Sequence, residues 1–410
     1  MRGKNEKVII GTVFFSFLFT FIWTLKSEDV LSSGFICGSI IKIVSGPLMV
    51  QKDLRALAVV VDFQDRKLED YTGEGITKIS DLERILHKME SHWKWMSVGT
   101  ETISWDIIRV TVPHDFTPDA YANLFEFRED IIRLAKEKVD VESYDFDGEG
   151  KIDNIFSIVS SGEKDNTNSD FEYIHGGATN HNGVRMFMDP QGSQSVKGEV
   201  YGNFNHELGH GHTVRDDLWG LPDLYGRNDT VDYLSLMSRS WFLPAVGFSA
   251  YDRYLMGWIE PKAITKTKKN VLLLPAEENL MAVKISVPDK NGHFKKFQKE
   301  YYLIEYRKKP KNGFGSLSEI PDYNGLAIYH IYEKSWKYAN NGHPPLVYFE
   351  PAGGHSELPT PPSKEDFWFP GNEKSSGIFK ARKYNTTDVI FMVKNIRWSG
   401  EGIAFDVIFD

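Results

Sequence analysis

Residues Asn205 to His212 read NHELGHGH, and within them His206, Glu207 and His210 form the pattern H-E-x-x-H. On a helix, residues four apart stack on one face, so the two imidazoles can each offer a ring nitrogen to one metal ion. Glu207 stands beside them, where its carboxylate can take a proton from water on that metal. Zinc in such a site lowers the pKa of its water to about 7 and polarises the carbonyl under attack. The protonated acid can then return its proton to a leaving amine. The chemistry expected is peptide-bond hydrolysis, with zinc as cofactor, His206 and His210 as ligands and Glu207 as the catalytic base.

A motif of five positions can arise by chance, so its surroundings carry much of the weight. Downstream stand Gly220-Leu221-Pro222-Asp223-Leu224-Tyr225-Gly226 and Ser235-Leu236-Met237-Ser238-Arg239-Ser240-Trp241. Gly247-Phe248-Ser249-Ala250-Tyr251-Asp252-Arg253 follows, running into Leu255-Met256-Gly257-Trp258-Ile259-Glu260-Pro261. With the acidic stretch Asp145 to Asn154 and the segment Asn324 to Ile331, these motifs resemble, in order, the immune inhibitor A family of secreted zinc metallopeptidases. The resemblance spans roughly Leu54 to Asp410. It implies a metzincin-like catalytic fold and a protein or peptide substrate. It also implies that Met237 belongs to a turn beneath the metal, a soft apolar floor for the histidines.

The third ligand departs from the family pattern H-E-x-x-H-x-x-G-x-x-D. Asp223 keeps the step from glycine to aspartate but lies thirteen residues after His210. Asp216 has the family's distance of six, yet Thr213 occupies the glycine position. A helix continued through seven extra residues would lengthen by about 10 Å and carry Asp223 out of reach. If Gly211 stops the helix and His212 to Trp219 bulge outward, Asp223 returns to the metal. The matching flanks favour Asp223, with Asp216 the alternative. His212 sits on another helix face and reads as a loop histidine. Tyr225, Tyr233 and Arg239 are candidates to approach the cleft and steady an oxyanion.

Asp145, Asp147, Glu149 and Asp153 place oxygen donors at positions 1, 3, 5 and 9 of a loop with Gly150 at position 6. That matches much of a calcium-binding EF-hand loop, although Phe156 replaces the acid expected at position 12. Calcium is therefore a second candidate cofactor, with an acidic glycine-rich turn as the plain alternative.

These groups need a scaffold. Arg55 to Phe63 is a near-continuous apolar run, as expected for a strand buried on both faces. Leu82, Ile85, Leu86, Met89, Trp93 and Met96 recur at helical spacing behind Ser80-Asp81, an N-cap signal. A second helix is expected near Arg128–Val139, and further strands at Ile155–Ser160 and Gly183–Met188. After Pro261 the pattern changes to short strands at 271–275, 281–287, 300–307, 326–332, 345–350, 388–396 and 402–409, with a hairpin turn at Asp289-Lys290-Asn291-Gly292. His330 lies inside one of these strands and reads as a core histidine. The fold class expected is α+β, with a zincin or metzincin-like catalytic domain at 51–262 and an all-β, sandwich-like domain at 263–410.

Val8 to Leu25 are eighteen uncharged, mostly apolar residues behind Arg2, Lys4 and Lys7. As a helix they would span about 27 Å, near the thickness of a bilayer core. Residues 1–26 are expected to be a membrane anchor or a signal peptide, followed by a stalk at 27–50. The basic flank keeps the N-terminus inside and exports the remainder. Lys and Arg sum to 48 against 57 Asp and Glu, a net charge of −9 in 410 residues. Such a surface repels phosphate backbones, so nucleic acid is not an expected partner. The single cysteine, Cys37, excludes intramolecular disulfides and thiolate-rich zinc sites. The function expected is an exported zinc endopeptidase. The alternative is a surface binding or adhesion protein that keeps the peptidase scaffold without its catalysis.

Overall fold

In the computed structural model, the apolar run at Arg55–Phe63 belongs to β1, Lys52–Asp62. Parallel strands flank it on both edges: β2, Glu101–Thr111, pairs from Lys52 opposite Glu101 to Asp62 opposite Thr111. On the other edge β3, Ile155–Val159, pairs from Leu57 opposite Ile155. A central parallel strand is covered on both faces, which explains why Ala56 to Val61 are fully buried without alternation. Their period of two still sorts them. Ala56, Ala58 and Val60 share a cluster with α1, Ile79–Met96, whereas Leu57, Val59 and Val61 share one with α2, Leu124–Lys136.

The helix α1 buries Leu82, Ile85, Leu86, Met89, Trp93 and Met96 on one stripe. Each such side chain contributes about 1.5–3 kcal/mol by leaving water. Ser80 is not its cap: the helix starts at Ile79 behind an extended Lys78, so Asp81 instead sits in the first turn, where the helix dipole favours an acid. Two further helices follow, α3, Tyr201–Gly211, and α4, Ala250–Leu255. The latter is closed by a capping box between Ser249 and Asp252.

The rest of the chain forms two mostly antiparallel sheets. One has the order β4-β6-β7-β8-β9, with β4 at Lys262–Ala263, β6 at Val283–Ser286, β7 at Glu300–Lys308, β8 at Asn324–Tyr332 and β9 at Val347–Phe349. The other has the order β10-β11-β12-β5, with β5 at Lys268–Leu273, β10 at Phe379–Arg382, β11 at Val389–Ser399 and β12 at Gly402–Ile408. The sheets pack through one shared cluster, in which Tyr302, Ile304 and Ile328 meet Val271, Phe391 and Phe405. The alternate residues Tyr301, Leu303, Tyr329 and Ile331 join the cluster of α1. The change from helices to strands thus falls after Pro261, but the core runs on across it, and Val44–Asp410 form one compact unit. The architecture is α+β.

The structure describes residues 52–70, 76, 78–115, 124–144, 155–159, 201–211, 220–226, 231–238, 246–288, 299–316, 320, 322–323, 324–353, 362–373, 377–384 and 386–409. The anchor or signal segment, the stalk, the candidate calcium residues Asp145, Asp147, Glu149 and Asp153, the strand expected at Gly183–Met188 and the turn at Asp289–Gly292 lie outside them. Among the described residues no helix is long and apolar enough to cross a membrane.

Candidate metal centre

The helix α3 carries both histidines and ends at Gly211. Asn205 locks it onto α1, donating from Nδ2 to His92 Nδ1 at 3.0 Å and to Met89 O at 3.3 Å. His92 in turn donates from Nε2 to Val246 O at 3.0 Å. Burial pushes the His92 pKa down to about 3 against the pull of that carbonyl, so the ring is neutral with its proton on Nε2.

His206 and His210 are oriented by backbone carbonyls. His206 Nδ1 lies 2.8 Å from Leu236 O, and His210 Nδ1 lies 2.7 Å from Leu221 O. A carbonyl only accepts, so each Nδ1 carries the proton and each Nε2 turns its lone pair to the other side of the ring. The two Nε2 atoms are 3.2 Å apart, and Asp223 Oδ1 is 3.3 Å from one and 3.1 Å from the other. Tetrahedral zinc with nitrogen and oxygen ligands at about 2.0–2.1 Å holds those ligands about 3.3 Å from one another. The triangle therefore has the edge lengths of one face of a zinc tetrahedron.

Electrostatics favour a cation in the same place. Asp223 Oδ1 is buried and accepts no hydrogen bond. Three lone-pair atoms at this spacing repel unless a positive charge lies between them. Burial works to raise the Asp223 pKa, but the two imidazoles outweigh it and hold the carboxyl below its ordinary range. Burial likewise opposes charge on His210, and the carboxylates of Asp223 and Glu207 overcome it and raise its pKa. A proton or a metal ion answers the same demand, and the donor set of two nitrogens and one carboxylate oxygen fits zinc.

The path by which Asp223 returns is set by its neighbours. Gly220 has φ +64°, a left-handed conformation, and sits against the His210 backbone. Leu221 N donates to Gly209 O at 2.9 Å, and Leu224 N to Met237 O at 2.6 Å. Met237 is fully buried. A Cβ added at Gly209 would lie 2.9 Å from Met237 Sδ, so the methionine packs against α3 at the residue before His210. The turn that carries it is braced by Ser235 Oγ, which accepts from Met237 N at 3.0 Å and donates to the buried Asp252 carboxylate.

Of the residues singled out by sequence, His206, His210, Asp223 and Met237 converge here. Glu207 is half-buried on α3 and close enough to His210 and Tyr225 to bear on their titration. Tyr225 stacks 6.2 Å from the His206 ring, and burial together with the nearby Asp223 carboxylate raises its pKa. Asp216, His212 and Arg239 lie outside the described residues. Tyr233 packs against the core. His330 is buried far along the chain between Glu300 at 3.1 Å and Glu350 at 3.5 Å, stacked between Tyr302 and Tyr384. Sequence reasoning did not reach the carbonyls of Leu221 and Leu236, because a backbone atom leaves no compositional trace. Nor did it reach Asn205 and His92, whose pairing spans 113 positions.

No family model matches the chain, and no curated protein matches it.

Proposed function

We propose that the protein is an exported zinc-dependent endopeptidase of metzincin-like type, with His206, His210 and Asp223 as metal ligands and Glu207 as the base. The observation that carries this is the triangle of two Nε2 atoms and Asp223 Oδ1, with edges of 3.1 to 3.3 Å, beside a half-buried glutamate. A zinc ion held by His206, His210 and Asp223 would supply Lewis acidity there, polarising a substrate carbonyl and lowering the pKa of water toward neutrality. Glu207 takes the proton and passes it to the leaving amine. The carbonyls of Leu221 and Leu236 keep both rings in the tautomer that leaves Nε2 free. Tyr225, partly exposed beside His206, offers a hydroxyl at the same opening. An extended peptide lying beside α3 is the substrate class that suits this chemistry. An N-terminal anchor or signal segment at 1–26 places the remainder outside the cytosol, and Asp145 to Asp153 offers a calcium loop.

The test uses the full chain with a denatured protein as substrate. Cleavage is expected with one zinc per chain, lost on chelation and restored by zinc. Glu207→Gln is expected to keep the zinc and lose at least about a hundredfold in turnover. Chelator-resistant cleavage, or an active Glu207→Gln, refutes the mechanism. Stoichiometric zinc without any cleavage favours a binding protein on the same scaffold.

A further inference from the structure

The 3-10 segment Glu333–Asn341 follows β8 and reaches the metal centre from the β-rich half of the chain. We infer that its Asn340 is a positioning residue for the third metal ligand, an inference that rests on the metal-centre reading above. Asn340 is fully buried and serves two backbones at once. Its Nδ2 donates to Leu224 O at 2.8 Å, one residue beyond Asp223, and its Oδ1 accepts from Val347 N at 3.0 Å in β9. The same peptide stretch of residue 224 is held from its other side, because Leu224 N donates to Met237 O. Three residues after Asp223 the chain passes so close to the segment that a Cβ at Gly226 would fall 2.7 Å from Asn341 Oδ1.

The far end of this tie is rigid. Tyr301 of β7 donates to Glu333, Tyr332 N donates to Leu346 O, and Leu346 N donates to Ala339 O. Segment 333–341 is thereby fastened to β7 through Glu333 and to β9 and the residue before it through Asn340 and Ala339. A carboxylate on a segment that leaves a helix end needs its backbone fixed if its oxygen is to stay near two imidazoles. Groups that orient a ligand in this way commonly change metal affinity 10–100-fold when removed. The sheet thus forms part of the metal centre through one side chain.

Two variants of the full chain test this, read in the folded state by near-ultraviolet circular dichroism. Asn340→Asp keeps an acceptor for Val347 N and loses the donor to Leu224 O; Asn340→Ala loses both. Zinc affinity, measured by chelator competition, is expected to fall at least about tenfold in each. Amide exchange at 221–224 is expected to accelerate while α3 and β7 exchange as in the wild type. Zinc affinity within twofold of wild type in a folded variant overturns the inference. The wild-type chain gives a second measurement that needs no variant: added zinc must slow exchange in 333–341 together with 220–226, and slowing in 220–226 alone overturns it. A wild-type chain that binds no zinc defeats the metal reading itself, and the exchange at 221–224 then decides separately whether Asn340 holds the segment.

Discussion

Gly220 lies so close under the end of α3 that a Cβ on it would come within 2.0 Å of the His210 carbonyl oxygen. Its φ of +64° adds a second demand that a side chain meets poorly. The turn that brings Asp223 back is therefore built on the backbone of a metal ligand. Gly220→Ala is expected to destabilise the fold by about 2 kcal/mol or more and to abolish high-affinity zinc binding. Thermal unfolding with and without zinc checks both; an unchanged zinc-induced shift in this variant contradicts the account.

Zinc is expected to stabilise the chain by mass action, by about 2.7 kcal/mol at a hundred times its dissociation constant. His206→Ala, His210→Ala and Asp223→Ala should each lose this stabilisation, and Glu207→Gln should keep it. Differential scanning calorimetry across a zinc series makes the comparison.

Met237 fills the space beneath α3 without touching the ligand atoms through any polar group. Met237→Ala is expected to cost about 2–5 kcal/mol, and Met237→Leu less than about 1.5 kcal/mol. Both should bind one zinc while folded. Urea unfolding and zinc content measured on the same samples separate a packing role from a ligand role.

His92 sets an acid limit. Its pKa is about 3 in the fold against 6.5 ordinarily. Below pH 6.5 the unfolded chain takes up a proton that the folded ring refuses, so its contribution is full above 6.5 and is lost progressively down to about 3. Between pH 6.5 and 5 this amounts to about 2 kcal/mol. The fall in unfolding free energy over that interval, measured by urea titration, should be smaller by that amount in His92→Gln, although the variant starts less stable at pH 7. Equal slopes would show that the ring is not held neutral.

Arg307 on β7 is buried with two acids. Its Nε donates to Glu277 at 2.6 Å, and its Nη1 donates to Glu305 at 3.2 Å and to Leu234 O at 3.0 Å. Burial disfavours its charge, and Glu277 with Glu305 more than restores it. Removing one partner leaves a buried charge exposed to that penalty, so Glu277→Ala is expected to cost about 3–5 kcal/mol. Because Leu234 leads into the Met237 turn, zinc affinity should weaken with it; chemical denaturation and zinc competition read the two effects.

Much of this fold was legible because local physics wrote it. The near-continuous apolar run at Arg55–Phe63 announced a central strand, and the spacing from Leu82 to Met96 announced a helix. Turn-separated runs after Pro261 announced most of the strands. β2 was missed because its exposed and half-buried residues lack a clean alternation, and β10 because four residues carry little signal. The cap expected at Ser80-Asp81 falls two residues too late, since an extended Lys78 can start a helix without a side-chain cap.

The chain alone determined that two imidazoles share a helix face with an acid between them, and that Gly211 can stop that helix, because both depend only on neighbours within a turn or two. The fold decided what brings Asp223 to those imidazoles. That depends on Gly220 against His210, on Met237 meeting Leu224, and on Asn340 arriving from more than a hundred residues away. Such contacts are made between surfaces that meet only when the sheet packs against the helices, and no local pattern encodes them.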